Sequence, residues 1–335
     1  MYIFLDNWIL LVPVVAFISL FIRWYKYGRE PDISAKLDPE YDITARLTPI
    51  EVAAIHYETL TNSALIAEII YLATQSFLRI ERLEEDMGVL AKKQDFLLER
   101  LRDPKELKSS IDKRLLKELI PNKSGKTMKL SRLKKASNHA FQRIMGSGMR
   151  RVATRGYFGA DPIETRSLYI GSAVAISIIV FPFVKEGYVS GMGVASIAVT
   201  VIMIGIFGSI MPQMTKKGIY AKGYIAALKE YLEEFKSDSS RFLNEIKREP
   251  AQFERLLPYA MALGVEDEWA KHFEGICKEP PAWYHRDHHN SHAFYPTQLI
   301  SEINTFSDSV SSTLRSIRAH GGRYGKGYSA VDDGG

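Results

Sequence analysis

The sequence predicts a mainly α-helical membrane protein, with three transmembrane helices, a winged-helix-like α+β cytoplasmic unit and a helical C-terminal cytoplasmic region. Three observations predict this class. Three apolar stretches without charged residues are separated by polar segments, basic residues flank each stretch on one side, and the polar segments carry helical and strand periodicity. The formal net charge of +5 fits basic loops held in the cytoplasm, and it favours a lipid surface over nucleic acid as the partner.

The first span is predicted at Trp8–Ile22, within an N-terminal segment of residues 1–30. No lysine or arginine precedes this span, whereas Arg23, Lys26 and Arg29 follow it. Because basic residues stay on the cytoplasmic side, the N-terminus is expected outside the cell. A signal peptide is disfavoured, because its charge would precede the apolar run and a small-residue cleavage site would follow it.

Two further spans, Leu168–Val184 and Ser190–Met211, are predicted to form a hairpin over residues 168–211. Both ends of the hairpin and the C-terminus are expected in the cytoplasm, because basic residues lie on either side of it: Arg150, Arg151, Arg155 and Arg166 before it, and Lys216, Lys217 and Lys222 after it. No ionisable residue lies within any span, which argues against a channel or transporter acting alone. Small residues along the third span predict packing against another helix, hence self-association or another protein partner.

Residues 46–157 are predicted to form the first cytoplasmic region. Thr48–Glu51 has the pattern of a helix start with a capping box, with proline in the first turn. Periodicity then predicts a second helix and two strands, which gives the element order of a winged-helix-like unit: Asn62–Gln75, Phe77–Leu83 and Lys93–Leu101.

Winged helices often bind DNA, but nucleic acid is disfavoured here. The helix at Asn62–Gln75 contains no lysine or arginine and carries Glu68, whereas a recognition helix needs cationic or amide side chains facing the groove. Protein contact is therefore the favoured role. The segment Lys105–Arg155 is richly basic, and Leu130–Tyr157 within it is predicted as one long amphipathic helix. This segment binds anionic lipid head groups or is a solvated basic face, and both readings stay open.

The second cytoplasmic region, residues 212–300, is predicted to be helical and to include a helix at Tyr220–Lys236. Within it, Leu256–Trp269 is too apolar for a surface loop and is predicted to be core, with Pro258 opening a short helix that Gly264 closes. Residues 301–335 are predicted to be a flexible polar and glycine-rich tail, because Ser301–Ser316 is rich in serine and threonine.

No catalytic residues and no cofactor are expected from the sequence. The single cysteine, Cys277, excludes a multi-cysteine zinc site. The one candidate metal site consists of four histidines at spacings that suit a divalent transition metal such as zinc: His285, His288, His289 and His292. A solvated loop is the favoured alternative, because the stretch has neither helix caps nor periodicity.

Several short motifs give the chain a family resemblance. It resembles the C-terminal part of the YciQ-like predicted membrane proteins, a bacterial family of unknown function, in five places: Tyr27–Pro31, Leu47–Glu51, Leu72–Ile80, the pair Thr215 and Gly218, and Leu257–Val265. The resemblance implies the fold and the topology but no activity and no catalytic residues. Members usually carry an extracytoplasmic β domain before the first span and a long glycine-rich tail. We therefore expect this chain to be a fragment or a shortened member.

Together these observations favour a membrane-anchored scaffold or protein-interaction module at the cytoplasmic face. The alternative is a membrane-tethered regulator or metal-dependent enzyme. It would use the histidine loop at His285–His292, or the basic face for nucleic acid or anionic lipid.

Overall fold

The computed structural model describes residues 11–28, 42–86, 92–121, 125–132, 136–234, 249–286 and 294–321. Over these residues the protein is mainly helical and contains one small mixed sheet of four strands. The helices are α1 (Val12–Tyr27), α2 (Pro49–Tyr57), α3 (Asn62–Thr74), α4 (Ser110–Leu119), α5 (Ala136–Thr154), α6 (Pro162–Lys185), α7 (Gly191–Ile210), α8 (Lys216–Glu234), α9 (Pro250–Leu263), α10 (Glu266–Lys271) and α11 (Pro296–Gly321). The strands are β1 (Leu78–Asp86), β2 (Lys92–Arg100), β3 (Thr127–Lys129) and β4 (Tyr284–Arg286).

The chain divides into two compact units, each assembled from separate stretches of sequence. The hairpin unit contains residues 1–37, 57–59 and 149–224. The sheet unit contains residues 38–56, 60–148 and 225–335.

In the hairpin unit, α7 packs against both α1 and α6. Asp161 caps α6, where its carboxylate accepts a hydrogen bond from the backbone N–H of Ile163 at 2.8 Å, and Ser190 caps α7. Helices α6 and α7, with 24 and 20 residues, are long and apolar enough to cross a membrane by length and composition. The described helix α1 has 16 residues, and the start of the predicted first span, Trp8–Ile22, lies outside the described residues.

In the sheet unit, the strand order is β3-β2-β1-β4. Strands β1 and β2 form an antiparallel pair in which Leu78 lies opposite Arg100, and β4 runs parallel to β1 at one edge of the sheet. Helices α2 and α3 lie in the core: nine of the thirteen residues of α3 are buried. Their apolar side chains are continuous around the helix, as expected for a helix enclosed on all sides.

Several elements predicted from the sequence are confirmed, with bounds that differ by at most three residues. They are the capped helix beginning at Pro49, the helix at Asn62–Thr74 and the two paired strands β1 and β2. One of the two bonds of the predicted capping box is observed, since the Glu51 carboxylate accepts a hydrogen bond from the backbone N–H of Thr48 at 3.1 Å. The sequence did not predict the order of the four strands or the parallel strand β4. Strand β4 lies in a segment that was expected to be helical.

The single helix predicted over Leu130–Tyr157 is wrong at its start. Leu130–Arg132 forms a 3-10 turn, and α5 begins at Ala136. The turn is fixed by the Asp95 carboxylate, which accepts hydrogen bonds from the Ser131 backbone N–H at 3.1 Å and from its hydroxyl at 2.5 Å. These bonds tie the turn to β2.

The helix predicted to open at Pro258 instead begins at Pro250, and Pro258 lies inside α9. A proline in a helix interior removes one backbone hydrogen bond and crowds the preceding turn, so the sequence favoured a helix start there. Burial of every residue from Leu256 to Leu263 offsets this cost. The predicted end is confirmed, because Gly264 closes the helix with a positive φ of 71°.

The flexible tail predicted for residues 301–335 is wrong over Ser301–Ser316, which belongs to α11. Ile303, Phe306 and Val310 recur at helical spacing and are buried in the sheet unit. The sequence composition hid this stripe, because serine and threonine fill the positions between its apolar members. Residues 322–335 lie outside the described residues.

Candidate functional site

The sheet unit holds a cluster of buried carboxyl groups at the start of α2. Glu68, in the middle of α3, is fully buried, and its Oε2 accepts a hydrogen bond from the backbone N–H of Ile50 at 2.8 Å. That N–H belongs to the first turn of α2, where backbone donors lack helical partners and favour negative charge. Glu68 therefore caps α2 from a neighbouring helix.

Asp112, in the first turn of α4, lies beside Glu68 and is only 3% exposed. Burial, and then the neighbouring Asp112, raise the pKa of the Glu68 carboxyl well above its usual value. Two carboxylates that share a buried site cannot both ionise without a large electrostatic cost. The Glu68–Asp112 pair therefore retains a proton at pH values where exposed carboxyl groups have lost theirs.

Two tyrosines lie near this pair. Burial, together with the carboxyl groups of Glu68, Asp112 and Glu51, raises the pKa of Tyr71 to about 12. The Tyr259 hydroxyl lies 2.9 Å from the Thr44 carbonyl oxygen and 2.8 Å from the Leu47 carbonyl oxygen, so its proton is shared between two backbone acceptors. Its pKa is raised well above the usual value, chiefly by burial.

The cluster unites motifs that are distant in sequence. Leu47–Glu51 supplies the backbone donors and acceptors, α3 supplies Glu68, and the Leu257–Val265 motif supplies Tyr259. The acidic side chains are buried, so the chemistry open to the cluster is the uptake and release of a proton rather than contact with a large substrate. The sequence signal is Glu68, the one charged residue of this mostly apolar helix, but its charge alone indicates neither burial nor a carboxyl partner.

The hairpin unit contains a network of hydrogen bonds, the collar, formed by residues 156–159 and 213–218. The Thr215 hydroxyl donates to the Gly156 carbonyl oxygen at 2.6 Å and accepts from the Gly218 backbone N–H at 3.1 Å. Backbone bonds from Thr215 to Tyr157 and from Gly159 to Gln213 complete the collar. The Thr215 and Gly218 motif thus closes the base of the α6–α7 hairpin.

Glu58 contacts two basic residues within the hairpin unit. Its carboxylate lies 2.8 Å from the Lys222 ammonium and 3.9 Å from the Arg166 guanidinium, and its carbonyl oxygen accepts from Arg166 at 3.0 Å. Lys217 also binds within the unit, since its ammonium donates to the Arg155 carbonyl oxygen at 2.6 Å. Several basic residues that flank the predicted spans are therefore already engaged by groups of the protein.

The candidate metal ligands are only partly described. His285 lies in β4 with an exposed side chain, opposite Glu81 of β1, whereas His288, His289 and His292 lie outside the described residues. Within the described part of the chain, no group of three or more His, Cys, Asp or Glu residues is placed to hold a metal ion. The histidine site stays a prediction. Cys277 is buried, and burial raises the pKa of its thiol to about 11, so it is not an activated nucleophile.

These features define a class: a mainly helical protein with two helices able to cross a membrane and a compact unit around a small mixed sheet. The chain belongs to the family described as Predicted membrane protein (DUF2207) C-terminal domain, whose model matches residues 37–273. The resemblance stated from the sequence motifs is thereby confirmed, and the family description carries membrane association without an activity. No curated protein and no solved structure matches the chain significantly.

Proposed function

We propose that the protein is a membrane-anchored interaction module, in which three spans hold the sheet unit at the cytoplasmic face. The observation that carries this proposal is the outward surface of the hairpin unit. Phe17 on α1, Phe181 on α6 and Ile202 on α7 are 48%, 67% and 60% exposed, among many similar side chains. A continuous apolar surface of this kind is a liability in water and is ordinary in a bilayer.

The charges at the ends of the helices support the proposed topology. Lys26 lies in the last turn of α1, Arg166 lies near the start of α6, and Lys216 begins α8 directly after the hairpin. Basic residues stay in the cytoplasm, which favours an N-terminus outside the cell and a C-terminus inside.

The sheet unit supports protein contact rather than DNA binding as its role. In a winged-helix-like reading, α3 would be the helix presented to a DNA groove. Its residues from Ala64 to Ile70 are all buried, so they are enclosed by the unit rather than presented to a ligand. A recognition helix must place its side chains against base edges. The proposed partner is therefore another protein at the inner face of the membrane.

A topology map tests the anchor. We expect reporters fused after Asn7 and Gly187 to report from outside the cell, and reporters after Glu30 and Gly335 to report from the cytoplasm. Crosslinking from the sheet unit in intact cells should then capture cytoplasmic proteins or a second copy. A reporter after Gly335 that is active outside would contradict both the hairpin topology and the cytoplasmic role.

We further propose that the hairpin associates with a second copy of itself. An apolar groove of about 550 Å³ lies along α6 and α7, and its lining includes the small residues Ala173, Ser177 and Gly205. A Cβ atom at Gly205 would meet nothing within 4 Å. Small residues let helix backbones approach closely, so the groove fits a helix of the partner copy.

Filling the groove tests this association. We expect Gly205→Leu to lower the crosslinked dimer fraction in native membranes about tenfold, because its side chain occupies the space of the partner helix. Gly171→Leu is the matched control, since a Cβ at Gly171 also meets nothing within 4 Å but Gly171 is absent from the groove lining. Equal dimer fractions for both variants, with normal membrane insertion, would rule out this groove as the interface.

A further inference from the structure

The surface of the sheet unit carries a basic cleft of about 360 Å³, which is distinct from the buried carboxyl cluster. It lies where β2 ends, between the turn at Pro104–Glu106, the helix α4 and the turn before β3. Five of its lining residues are cationic: Arg100, Arg102, Lys105, Lys117 and Lys126. They come from four separate elements, so the fold rather than a run of sequence brings these charges together.

The two acidic side chains at this cleft, Asp103 and Glu106, are engaged in hydrogen bonds and an ion pair with the cleft's own residues. The Asp103 carboxylate accepts from the backbone N–H of Lys105 at 2.8 Å and caps the turn. The Glu106 carboxylate accepts from the Asp103 backbone N–H at 3.3 Å and pairs with Arg102 at 2.6 Å. Counting both acids, the cleft keeps an excess of positive charge.

The two arginines are held by their surroundings. The Arg102 guanidinium lies 4.4 Å from the centroid of the Phe77 ring, in addition to its pairing with Glu106. Arg100 ends β2, its backbone N–H donates to the Lys126 carbonyl oxygen at 2.7 Å, and its guanidinium approaches the Gly125 carbonyl oxygen at 3.5 Å. Side chains fixed in this way lose little conformational entropy when they bind a ligand.

The three lysines of the cleft contribute exposed ammonium groups. Lys105, Lys117 and Lys126 are exposed, and within the described ranges no acidic side chain pairs with their ammonium groups. A planar guanidinium binds phosphate oxygens in pairs, and an ammonium group adds a point charge. Several cations that converge on one small space match a ligand with two or more negative charges, as a phosphate group carries near neutral pH.

We propose that this cleft binds a small ligand that carries phosphate groups, either a soluble phosphorylated compound or the phosphorylated head group of a lipid. The cleft volume lies in the range of small-molecule sites. Its apolar lining consists of Leu101 and Pro104 rather than aromatic rings, which leaves no platform for stacking a nucleic-acid base. The inference goes beyond the anchoring and interaction role. A bound phosphate ligand would act as a signal to the module and would not anchor it.

The test uses the full chain in phosphatidylcholine nanodiscs, titrated with inorganic pyrophosphate. We expect saturable binding that weakens as salt is raised. The variant Lys117→Gln with Lys126→Gln should weaken binding about tenfold or more, because two charge-assisted contacts are lost. Both positions are exposed, so the fold should persist.

The matched control is Lys108→Gln with Arg114→Gln, which removes the same charge from the same unit outside the cleft lining. Its pyrophosphate affinity should stay within about twofold of the parent, since only diffuse electrostatics change. Equal weakening by both variants, or the lack of any saturable binding, would overturn the proposal.

A second arm identifies the source of the phosphate. If the cleft takes a lipid head group, nanodiscs that contain phosphatidylinositol bisphosphate should compete with pyrophosphate for the parent chain. If the ligand is soluble, the pyrophosphate affinity should be the same in both kinds of nanodisc. Either result supports the proposal only if the Lys117→Gln with Lys126→Gln variant binds pyrophosphate more weakly than the Lys108→Gln with Arg114→Gln control.

Discussion

Replacing Gly218 by alanine is expected to unfold the collar of the hairpin unit. A Cβ atom at this position would lie far inside normal contact distance of the Tyr157 carbonyl oxygen, which is backbone and cannot turn aside. Relief requires α8 to move away from residues 156–159, which breaks the bonds from Thr215 to Gly156 and Tyr157. Combined overpacking and lost hydrogen bonds predict a loss of about 3 kcal/mol or more in the free energy of unfolding.

The measurement is the fraction of intact, detergent-extracted protein that remains folded after heating. Gly159→Ala is the matched control within the same collar, because the nearest atom to its added Cβ would be 3.7 Å away, an ordinary contact. We expect the control to melt near the parent temperature. Indistinguishable melting of the two variants would show that the close approach at Gly218 does not stabilise the unit.

The second large effect is expected at the buried carboxyl pair. Glu68→Gln should raise the free energy of unfolding of the sheet unit at pH 7 to 8. The glutamine oxygen still accepts from the Ile50 N–H, while its amide group donates toward Asp112 without the proton that the parent pair must hold at this pH. In the parent, the raised pKa of Glu68 means that the folded state holds a proton that the unfolded state releases above about pH 4.3.

The sign of the pH dependence follows from this difference. Because the folded state binds more protons, the stability of the parent is greatest below the unfolded pKa and falls as pH rises toward the folded pKa, by about 1.4 kcal/mol per pH unit for one proton. Glu68→Gln should remove that slope. Pulse proteolysis of the full chain in urea, at pH values from 5 to 8, measures the free energy of unfolding and hence its slope with pH.

Glu99→Gln provides the comparison for the carboxyl pair. It removes one carboxylate from β2, where Glu99 pairs with Arg79 at 2.8 Å and is about one-third exposed. An ion pair of this exposure contributes about 0–1 kcal/mol, so only a small effect is expected. If Glu68→Gln instead lowers stability equally at all pH values, the pair does not retain a proton in the folded protein.

The sequence was informative where one local signal decided the structure. The helix start at Thr48–Glu51, the alternation in β1 and β2 and the glycine at Gly264 each act within a few residues, and the structure has the predicted helix, strands and helix end. It was misleading where distant contacts overrule local preference. Pro258 continues a helix because the burial of its neighbours offsets the lost hydrogen bond, and Ser301–Ser316 is helical because Phe306 and Val310 enter a core formed elsewhere.

The candidate sites escaped sequence reasoning for the same reason. Glu68 and Asp112 are separated by 44 positions in the sequence and meet only because α3 and α4 pack together. The basic cleft likewise draws Arg100, Lys117 and Lys126 from three elements, so the sequence showed only a diffuse basic segment. Neither juxtaposition leaves a periodic pattern.

The parallel strand β4 also determines when the protein can finish folding. Ile80 of β1 pairs with Tyr284 of β4, and the part of the hairpin unit from Met149 to Tyr224 is synthesised between these two partners. During translation, the edge of β1 that pairs with β4 therefore stays unpaired until the hairpin has emerged from the ribosome. Long-range pairing of this kind is slow and leaves an edge open to aggregation. In the proposed topology, α6 and α7 therefore enter the membrane before the sheet is complete, while this edge of β1 is still open.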